Sequence, residues 1–154
     1  MTPTLISGYA GLRAFAGQAV GQSDWKSLEF SRIQTFAEAT GDHQWIHVDR
    51  ERIAASSPFG APVAHGYLTL SLVAGLFFEV LELDGFKMVI NYGCNKVRFP
   101  NPLKEGNRYR LALKIGEVKE AGEWLEVTFL ASIEIEGQAK PACAAECIYR
   151  FLAA

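Results

Sequence analysis

The sequence predicts an α+β fold in which a long antiparallel sheet wraps around one central helix. An uncharged run from Gly66 to Phe78 is apolar on nearly every side of a helix, yet shorter than the ~20 residues of a membrane span. In the C-terminal half, apolar and polar residues alternate with a period of two, which is typical of strands with one buried face. Hairpin-length turns between consecutive strands predict an antiparallel meander.

Composition narrows the class of protein. The 154 residues are expected to form one domain over residues 1–154, and 49% apolar with 21% charged residues is typical of globular proteins. A net charge of −2 argues against a nucleic-acid partner. Cys94, Cys143 and Cys147 are an odd number without a CxxC pair, so neither a disulfide framework nor a metal site is expected. No secretory signal is recognised, and the expected location is cytoplasmic.

The N-terminal half predicts three short helices. Apolar residues at roughly helical spacing predict the first within residues 1–22. Ser31–Gln34 matches a capping box, in which Ser and Gln side chains satisfy the first helical N–H groups, so a second helix is expected there. Gly41 supplies its stop. A third helix is expected from Asp49 to Ser56 with Asp49 as its cap, followed by a Pro- and Gly-rich loop at residues 57–62.

The second half begins with the apolar helix and continues in strands. The helix is expected to run from Gly66 to about Leu83, where Asp84-Gly85 ends it. A sheet curled around this helix has an outer edge, and an exposed edge favours pairing with a second copy of the chain. The expected strands lie at residues 86–99, 109–115, 124–135 and 140–152.

The chemistry is concentrated in residues 39–49, which contain two carboxylates and two imidazoles. Asp42 and His47 are five residues apart, so they do not share one face of a regular helix. If the backbone leaves helical geometry at Gly41, however, both side chains can converge on one volume. A carboxylate beside an imidazole can position a water molecule and move its protons near neutral pH. The alternative is a helix end followed by a capping Asp and a surface His.

Gly66 opens the long apolar helix. The first N–H groups of a helix have no partner within it and lie at the positive end of its dipole, so they suit an oxyanion that develops during a reaction. A glycine also lets a substrate approach the backbone closely. The alternative is a helix-entry residue without a chemical role. His65 is expected to be a hydrogen-bonded, half-buried loop histidine.

The segment Gly41–His47, followed after a loop by His65-Gly66 and a long apolar helix, resembles the MaoC-like dehydratases, including the (R)-specific enoyl-CoA hydratases. Thr40–Asp49 is most similar to the NodN-like branch of that family. The resemblance extends from about Gly17 to about Phe151. It implies a hot dog fold, a homodimer, and an acyl thioester of coenzyme A as the substrate. No separate cofactor or metal is implied, since coenzyme A is part of the substrate.

The resemblance also implies roles for individual residues. Asp42 and His47 correspond to a catalytic dyad, and Gly66 to the backbone N–H that polarises the thioester carbonyl. Gln44 and Trp45 stand where the hydratase pattern usually has Asn and Pro, which leaves the dyad intact. The candidate substrate-binding residues are Gln44, His65, Tyr67 and Phe99. Four basic residues near the Phe99 turn either contact phosphates or form a solvated strand edge: Lys96, Arg98, Lys104 and Arg108.

The predicted function is therefore reversible syn hydration of trans-2-enoyl thioesters by an (R)-specific enoyl-CoA hydratase. One alternative is an acyl-CoA thioesterase, because hot dog folds serve both chemistries. Another is a non-catalytic subunit that binds acyl-CoA. The pairing of Asp42 and His47 with His65-Gly66 favours hydration. Neither nucleic acid nor a membrane is expected as a partner.

Overall fold

The structure is a computed structural model that describes residues 2–154, in which a helix-rich half precedes a strand-rich half. The helices are α1 (Gly8–Ala14), α2 (Phe30–Thr40), α3 (Trp45–Val48), α4 (Arg50–Ser56) and α5 (Gly66–Val80). The strands are β1 (Thr4–Ser7), β2 (Ala19–Gln22), β3 (Lys26–Ser27), β4 (Leu81–Asp84), β5 (Phe86–Arg98), β6 (Arg108–Ala121), β7 (Trp124–Ile135) and β8 (Cys143–Ala153).

The main sheet has the strand order β2-β6-β7-β8-β5, and β3 also pairs with β6. All of its pairs are antiparallel, and the predicted meander is confirmed for β6, β7 and β8. The meander also predicts a hairpin between β5 and β6, and this prediction is wrong because β5 pairs with β8 instead. The connecting segment does not turn back on itself: Ala64 N–H donates to the Leu103 carbonyl, and Val63 forms an isolated bridge with Lys104. These contacts tie the segment to the start of α5.

Helix α5 packs on the inner face of this sheet. The Phe77 ring is fully buried, stacks on Tyr149 with centroids 4.7 Å apart, and meets Phe129 edge-on at 5.0 Å. The inward positions of β6 and β7 are buried as the alternation predicts. The opposite side of α5, with Tyr67 and Phe78, is exposed. No helix within residues 2–154 is long and apolar enough to cross a membrane.

Two predicted helix boundaries differ from those in the structure. The capping box at Ser31–Gln34 does not form: α2 already begins at Phe30 with Glu29 as its N-cap. Leu28 exchanges backbone hydrogen bonds with Gly106 and Asn107, which fixes where the helix can start. The second boundary is the end of α5, which stops at Val80 rather than near Leu83. The next four residues pair in parallel with β1, a strand that the sequence did not indicate.

Candidate functional site

The chain leaves helical geometry at Gly41, as predicted. Gly41 has a positive φ of 76° and its N–H donates to the Ala37 carbonyl at 2.8 Å, an αL helix end that glycine adopts without steric cost. Asp42 follows outside α2, and its Oδ1 accepts a hydrogen bond from Gln44 N–H at 3.3 Å. The short helix α3 then carries His47 back toward the start of α5. Glycine geometry therefore supplies the turn that lets a carboxylate and an imidazole five residues apart approach each other.

His47 is the buried member of the pair, with 6% of its surface exposed. Its Nδ1 lies 2.6 Å from the Val63 carbonyl oxygen. A carbonyl can only accept, so Nδ1 carries the proton of the neutral ring and Nε2 keeps a free lone pair. The Val63 N–H in turn donates to the Ile46 carbonyl at 3.2 Å, which joins α3 to the segment before α5. The tautomer of His47 is thus set by backbone that is distant in sequence.

His65 is more buried than expected, with 3% of its surface exposed. Its ring stacks on His47 with centroids 3.7 Å apart and an interplanar angle of 23°. Its Nε2–H donates to the backbone carbonyl of Asp42 at 2.9 Å, whereas Nδ1 is buried and has no hydrogen-bond partner in residues 2–154. The expected hydrogen bond is therefore confirmed at Nε2, but the ring is buried rather than half-buried, and Nδ1 is not satisfied. His65 contacts both members of the pair, through the Asp42 carbonyl and the His47 ring, and little of its surface is left open to a substrate.

One carboxylate oxygen of Asp42 and one ring nitrogen each of His47 and His65 all lie within 4.8 Å of one another. Two hydrogen bonds of about 2.8 Å each can bridge such a gap through one water molecule. The same three residues are a conceivable ligand set for a divalent ion. A metal lies in the plane of each imidazole that binds it, whereas stacking sets the two ring planes side by side. The geometry is better suited to holding a water molecule between Asp42 and His47.

Gly66 is the first residue of α5, with His65 as N-cap, so its N–H lies in the turn that has no helical acceptor. A Cβ built on Gly66 would lie 2.8 Å from Cε2 of Phe99. A side chain at this position would therefore require the Phe99 ring to shift. Gly66 directly follows His65, whose ring stacks on His47, so the start of α5 is next in the chain to the cluster. Phe99 is 43% exposed and borders the same place.

The other predicted residues lie around this cluster at the surface. Gln44 is exposed and is the N-cap of α3, and Tyr67 is exposed at the second position of α5. Asp49 caps α4 as predicted, its Oδ1 accepting from Arg52 N–H at 3.0 Å, and His43 is exposed. These positions place Gln44 and Tyr67 at the rim rather than in the centre.

The basic residues near Phe99 divide into two groups. Lys96 forms an ion pair with Glu146 at 3.0 Å, and Arg108 forms one with Glu136 at 2.7 Å, which supports the solvated strand edge for these two. Within residues 2–154, Arg98 and Lys104 have no carboxylate within 4.0 Å. They are the members of the group whose charge is left for an anionic ligand.

The three cysteines are free thiols, in agreement with the predicted lack of a disulfide framework. Burial raises the pKa of Cys143 to about 11 and that of Cys147 to about 12, so both stay protonated at neutral pH. Because the thiolate is the reactive form, these two residues are not suited to nucleophilic chemistry.

Two contributors to the site were missed from the sequence. The Val63 carbonyl is one, since any residue type supplies a backbone oxygen. The stacking of His65 on His47 is the other; the eighteen-residue separation visible in the sequence gives no sign that the two rings touch. Only the unusual density of imidazoles near Gly41 and Gly66 could have suggested it.

Comparison with known proteins finds relatives that belong to one group, the MaoC-like dehydratases and similar proteins. Residues 13–134 match the family model described as MaoC like domain. The 3-hydroxyacyl-thioester dehydratase Z of Mycobacterium tuberculosis (strain ATCC 25618 / H37Rv) is 48% identical over 145 residues, 94% of this chain and 95% of that protein. Nodulation protein N of Rhizobium leguminosarum bv. viciae is 41% identical over 134 residues, 86% of this chain and 83% of that protein. The solved structure of unliganded R-hydratase PhaJ1 from Pseudomonas aeruginosa has a TM-score of 0.69 at 23% identity, covering 90% of this chain and 83% of that one, a likeness of fold.

Proposed function

The chain belongs to the MaoC-like dehydratase family, and on that premise we propose that it is an (R)-specific enoyl-CoA hydratase. The predicted hot dog fold is confirmed, with the antiparallel sheet packed around α5. Dehydration of 3-hydroxyacyl thioesters, named for the 48% identical relative, is the reverse of hydrating 2-enoyl thioesters. The observation that carries the proposal is the cluster of Asp42 and His47 beside the N-terminus of α5.

The proposed reaction uses one water molecule held between Asp42 and His47. Its oxygen adds to C3 of the enoyl thioester while the dyad takes one proton, and that proton is returned to C2 on the same face. Negative charge develops on the thioester oxygen, where the Gly66 N–H and the positive end of the α5 dipole stabilise it. The free Nε2 of neutral His47 is suited to accept the proton. No metal or cofactor takes part in these steps.

The direct test is to incubate the purified protein with crotonyl-CoA and follow loss of the enoyl absorbance. We expect hydration, and chiral chromatography should identify the product as the (R)-3-hydroxyacyl thioester. Release of free coenzyme A without loss of the double bond would instead indicate a thioesterase. Binding without any turnover would indicate a non-catalytic subunit, and an S product would contradict the proposed mechanism.

The pH dependence of hydration should report the state of His47. Burial lowers the pKa of His47 below its ordinary value of 6.5; the Val63 hydrogen bond opposes this shift, and the stacked His65 adds to it. Neutral His47 therefore persists as the pH falls through 6.5. We expect kcat/KM to stay level there and to decline only at lower pH, in a profile measured from about pH 5 to 8. A decline centred above pH 6.5 would contradict this assignment.

The same shift makes a prediction for stability. Because the folded pKa of His47 lies below the unfolded value, the group contributes its full stability above pH 6.5. That contribution is lost as the pH falls from 6.5 through the folded pKa.

We also propose a homodimer formed through the edge of the sheet. β5 is a terminal strand, paired on one side with β8, and its side chains Met88, Ile90 and Tyr92 are exposed. Phe78 on α5 is a further large exposed apolar residue, 63% accessible. An unpaired edge with exposed apolar side chains favours association with a second copy. Arginine at Ile90 would place a charge in that interface.

Light scattering over about a hundredfold range of concentration should show a dimer throughout, because obligate interfaces are large and apolar. Ile90→Arg should shift the protein toward monomer and lower its activity. A control, Lys87→Arg, keeps the charge of an exposed β5 side chain. A wild-type monomer with full hydratase activity at nanomolar concentration would contradict the dimer. A cytoplasmic location remains part of the proposal, and fractionation of the source cells would test it.

A further inference from the structure

His65 is held in the site by its backbone as well as by its ring. It is the N-cap of α5, and its carbonyl oxygen accepts hydrogen bonds from the Thr69 N–H at 3.0 Å and from the Thr69 hydroxyl at 3.1 Å. The ring packs on Phe36 of α2 with centroids 5.0 Å apart. Because α5 itself is fixed on the sheet through Phe77, His65 is a rigid point at the edge of the cluster.

Asp42 lacks comparable support of its own. It lies in the irregular segment between α2 and α3 and is exposed. Its carboxylate accepts from the Gln44 N–H at 3.3 Å, and its own N–H donates to the Thr40 hydroxyl at 3.4 Å, two long contacts within the segment. Within residues 2–154, the hydrogen bond that ties Asp42 to a distant element is the one from His65 Nε2–H to its carbonyl, at 2.9 Å. The position of Asp42 therefore depends on His65.

In the described part of the chain, the ring of His47 is hydrogen-bonded at one nitrogen. Its Nδ1–H donates to the Val63 carbonyl, and an N–H···O bond tolerates a deviation of roughly 30° from linearity. A tilt about that bond would move Nε2, the nitrogen proposed to take the proton. The His65 ring, stacked at 3.7 Å with 23° between the planes, blocks such a tilt on the side that it covers. A misplacement of about 1 Å in an active site can cost about 100-fold in rate.

The second nitrogen of His65 argues that the imidazole is not there for stability. Nε2 carries the ring proton because the Asp42 carbonyl only accepts, and Nδ1 is buried without a hydrogen-bond partner in residues 2–154. A buried polar atom without a partner costs stability. A phenylalanine would avoid this cost, and since Asp42 is exposed, its carbonyl could bond to water instead. The features of His65 that the site uses are therefore its flat ring and its Nε2–H.

We propose that His65 is a positioning residue of the Asp42–His47 pair: its ring holds the plane of His47, and its Nε2–H holds the backbone of Asp42. The inference rests on the proposed hydratase function for the effect on rate, whereas the two contacts are independent of that function. His65 touches no reacting atom in this scheme and binds no part of the substrate. This role takes the place of the expected substrate-binding role of His65.

Two variants separate the two contacts. His65→Phe keeps a flat ring to stack on His47 but has no donor for the Asp42 carbonyl, and His65→Gln keeps an N–H at about the position of Nε2 but has no ring. With crotonyl-CoA, His65→Ala, which loses both contacts, should lower kcat by about 10- to 100-fold with KM little changed. His65→Phe and His65→Gln should each recover part of that loss. The melting temperature of His65→Phe should stay near that of wild type, because the unpartnered Nδ1 is removed.

Val73→Ala is the matched control for stability, since Val73 is a buried core residue of the same helix. It should lower the melting temperature through the cavity it leaves, without a change in kcat. A role of His65 in stability alone would make the His65 variants resemble this control. The double variant His47→Ala/His65→Ala should be little slower than His47→Ala, because a residue that acts through the pair has nothing left to position.

A second readout needs no turnover. Burial is the largest cause of the lowered pKa of His47, and electrostatic repulsion from His65 adds to it, against the Val63 hydrogen bond and the Asp42 carboxylate. His65→Phe keeps the burial and removes the repulsion, so the pKa of His47 should rise toward 6.5. The chain has three histidines, so an NMR titration of their ring protons can be assigned with His43→Ala and His47→Ala.

A His65→Ala variant with the kcat of wild type would overturn the inference, and so would a loss in KM alone, which would indicate substrate binding. Losses that multiply in the double variant, or an unchanged pKa of His47 in His65→Phe, would overturn it as well. If His65→Ala fails to fold, His65→Phe and His65→Gln are compared with wild type, and both should have a lowered kcat. A wild-type protein that hydrates no enoyl thioester contradicts the hydratase proposal, while the NMR titration still tests the contact between the two rings.

Discussion

Asp42→Asn and His47→Ala should each reduce hydration of crotonyl-CoA by a factor of about 100 to 10,000, the usual contribution of a general acid–base group. Asn keeps the shape of Asp42 but cannot accept a proton, so the expected loss is in kcat rather than KM. His47→Ala removes both Nε2 and the hydrogen bond to the Val63 carbonyl. Circular dichroism and light scattering should show the fold and assembly of wild type in both variants.

The double variant distinguishes a shared water from two independent groups. If Asp42 and His47 act on one water molecule, removing both should cost little more than removing the more important one. Losses that multiply would contradict the shared water. His43→Ala is the matched control, since His43 is an exposed imidazole next to Asp42 with Glu38 3.9 Å away. It should retain wild-type activity.

Gly66→Pro should reduce hydration by about 100- to 1,000-fold, the usual effect of losing one oxyanion donor. Proline removes the N–H under test but is favoured at the first position of a helix, where that N–H has no helical acceptor. The preceding residue must be extended, and His65 already has φ −55° and ψ 143°. The helix should therefore form with its N-terminal donor missing.

The Phe99 ring complicates this substitution, because any Cβ at position 66 meets it at 2.8 Å. The comparison is best made in a Phe99→Ala background. There, Gly66→Ala adds a Cβ and keeps the N–H, whereas Gly66→Pro loses it. We expect Gly66→Ala to keep nearly the activity of the Phe99→Ala parent and Gly66→Pro to lose most of it. Equal activities would show that the Gly66 N–H does not stabilise the transition state.

Local patterns in the sequence were enough for several elements. The stop of α2 at Gly41 and the cap of α4 at Asp49 depend on residues within one helical turn. The period of two in β6 and β7 follows from burial of one sheet face, which any such sheet imposes. The central helix was likewise visible from its apolar composition. These features can be predicted from the sequence because each depends mainly on residues that are close together in the chain.

Long-range contacts decided the rest. The pairing of β5 with β8 rather than β6 and the end of α5 at Val80 depend on strands that come from distant parts of the chain. The sequence placed Asp42, His47 and Gly66 among the candidates, but not the arrangement around them. The Val63 carbonyl sets the tautomer of His47, and the His65 ring stacks on the His47 ring with centroids 3.7 Å apart. Every residue type has a backbone carbonyl, and ring stacking between distant residues leaves no periodic pattern in the sequence. These contacts therefore become visible only in the folded chain.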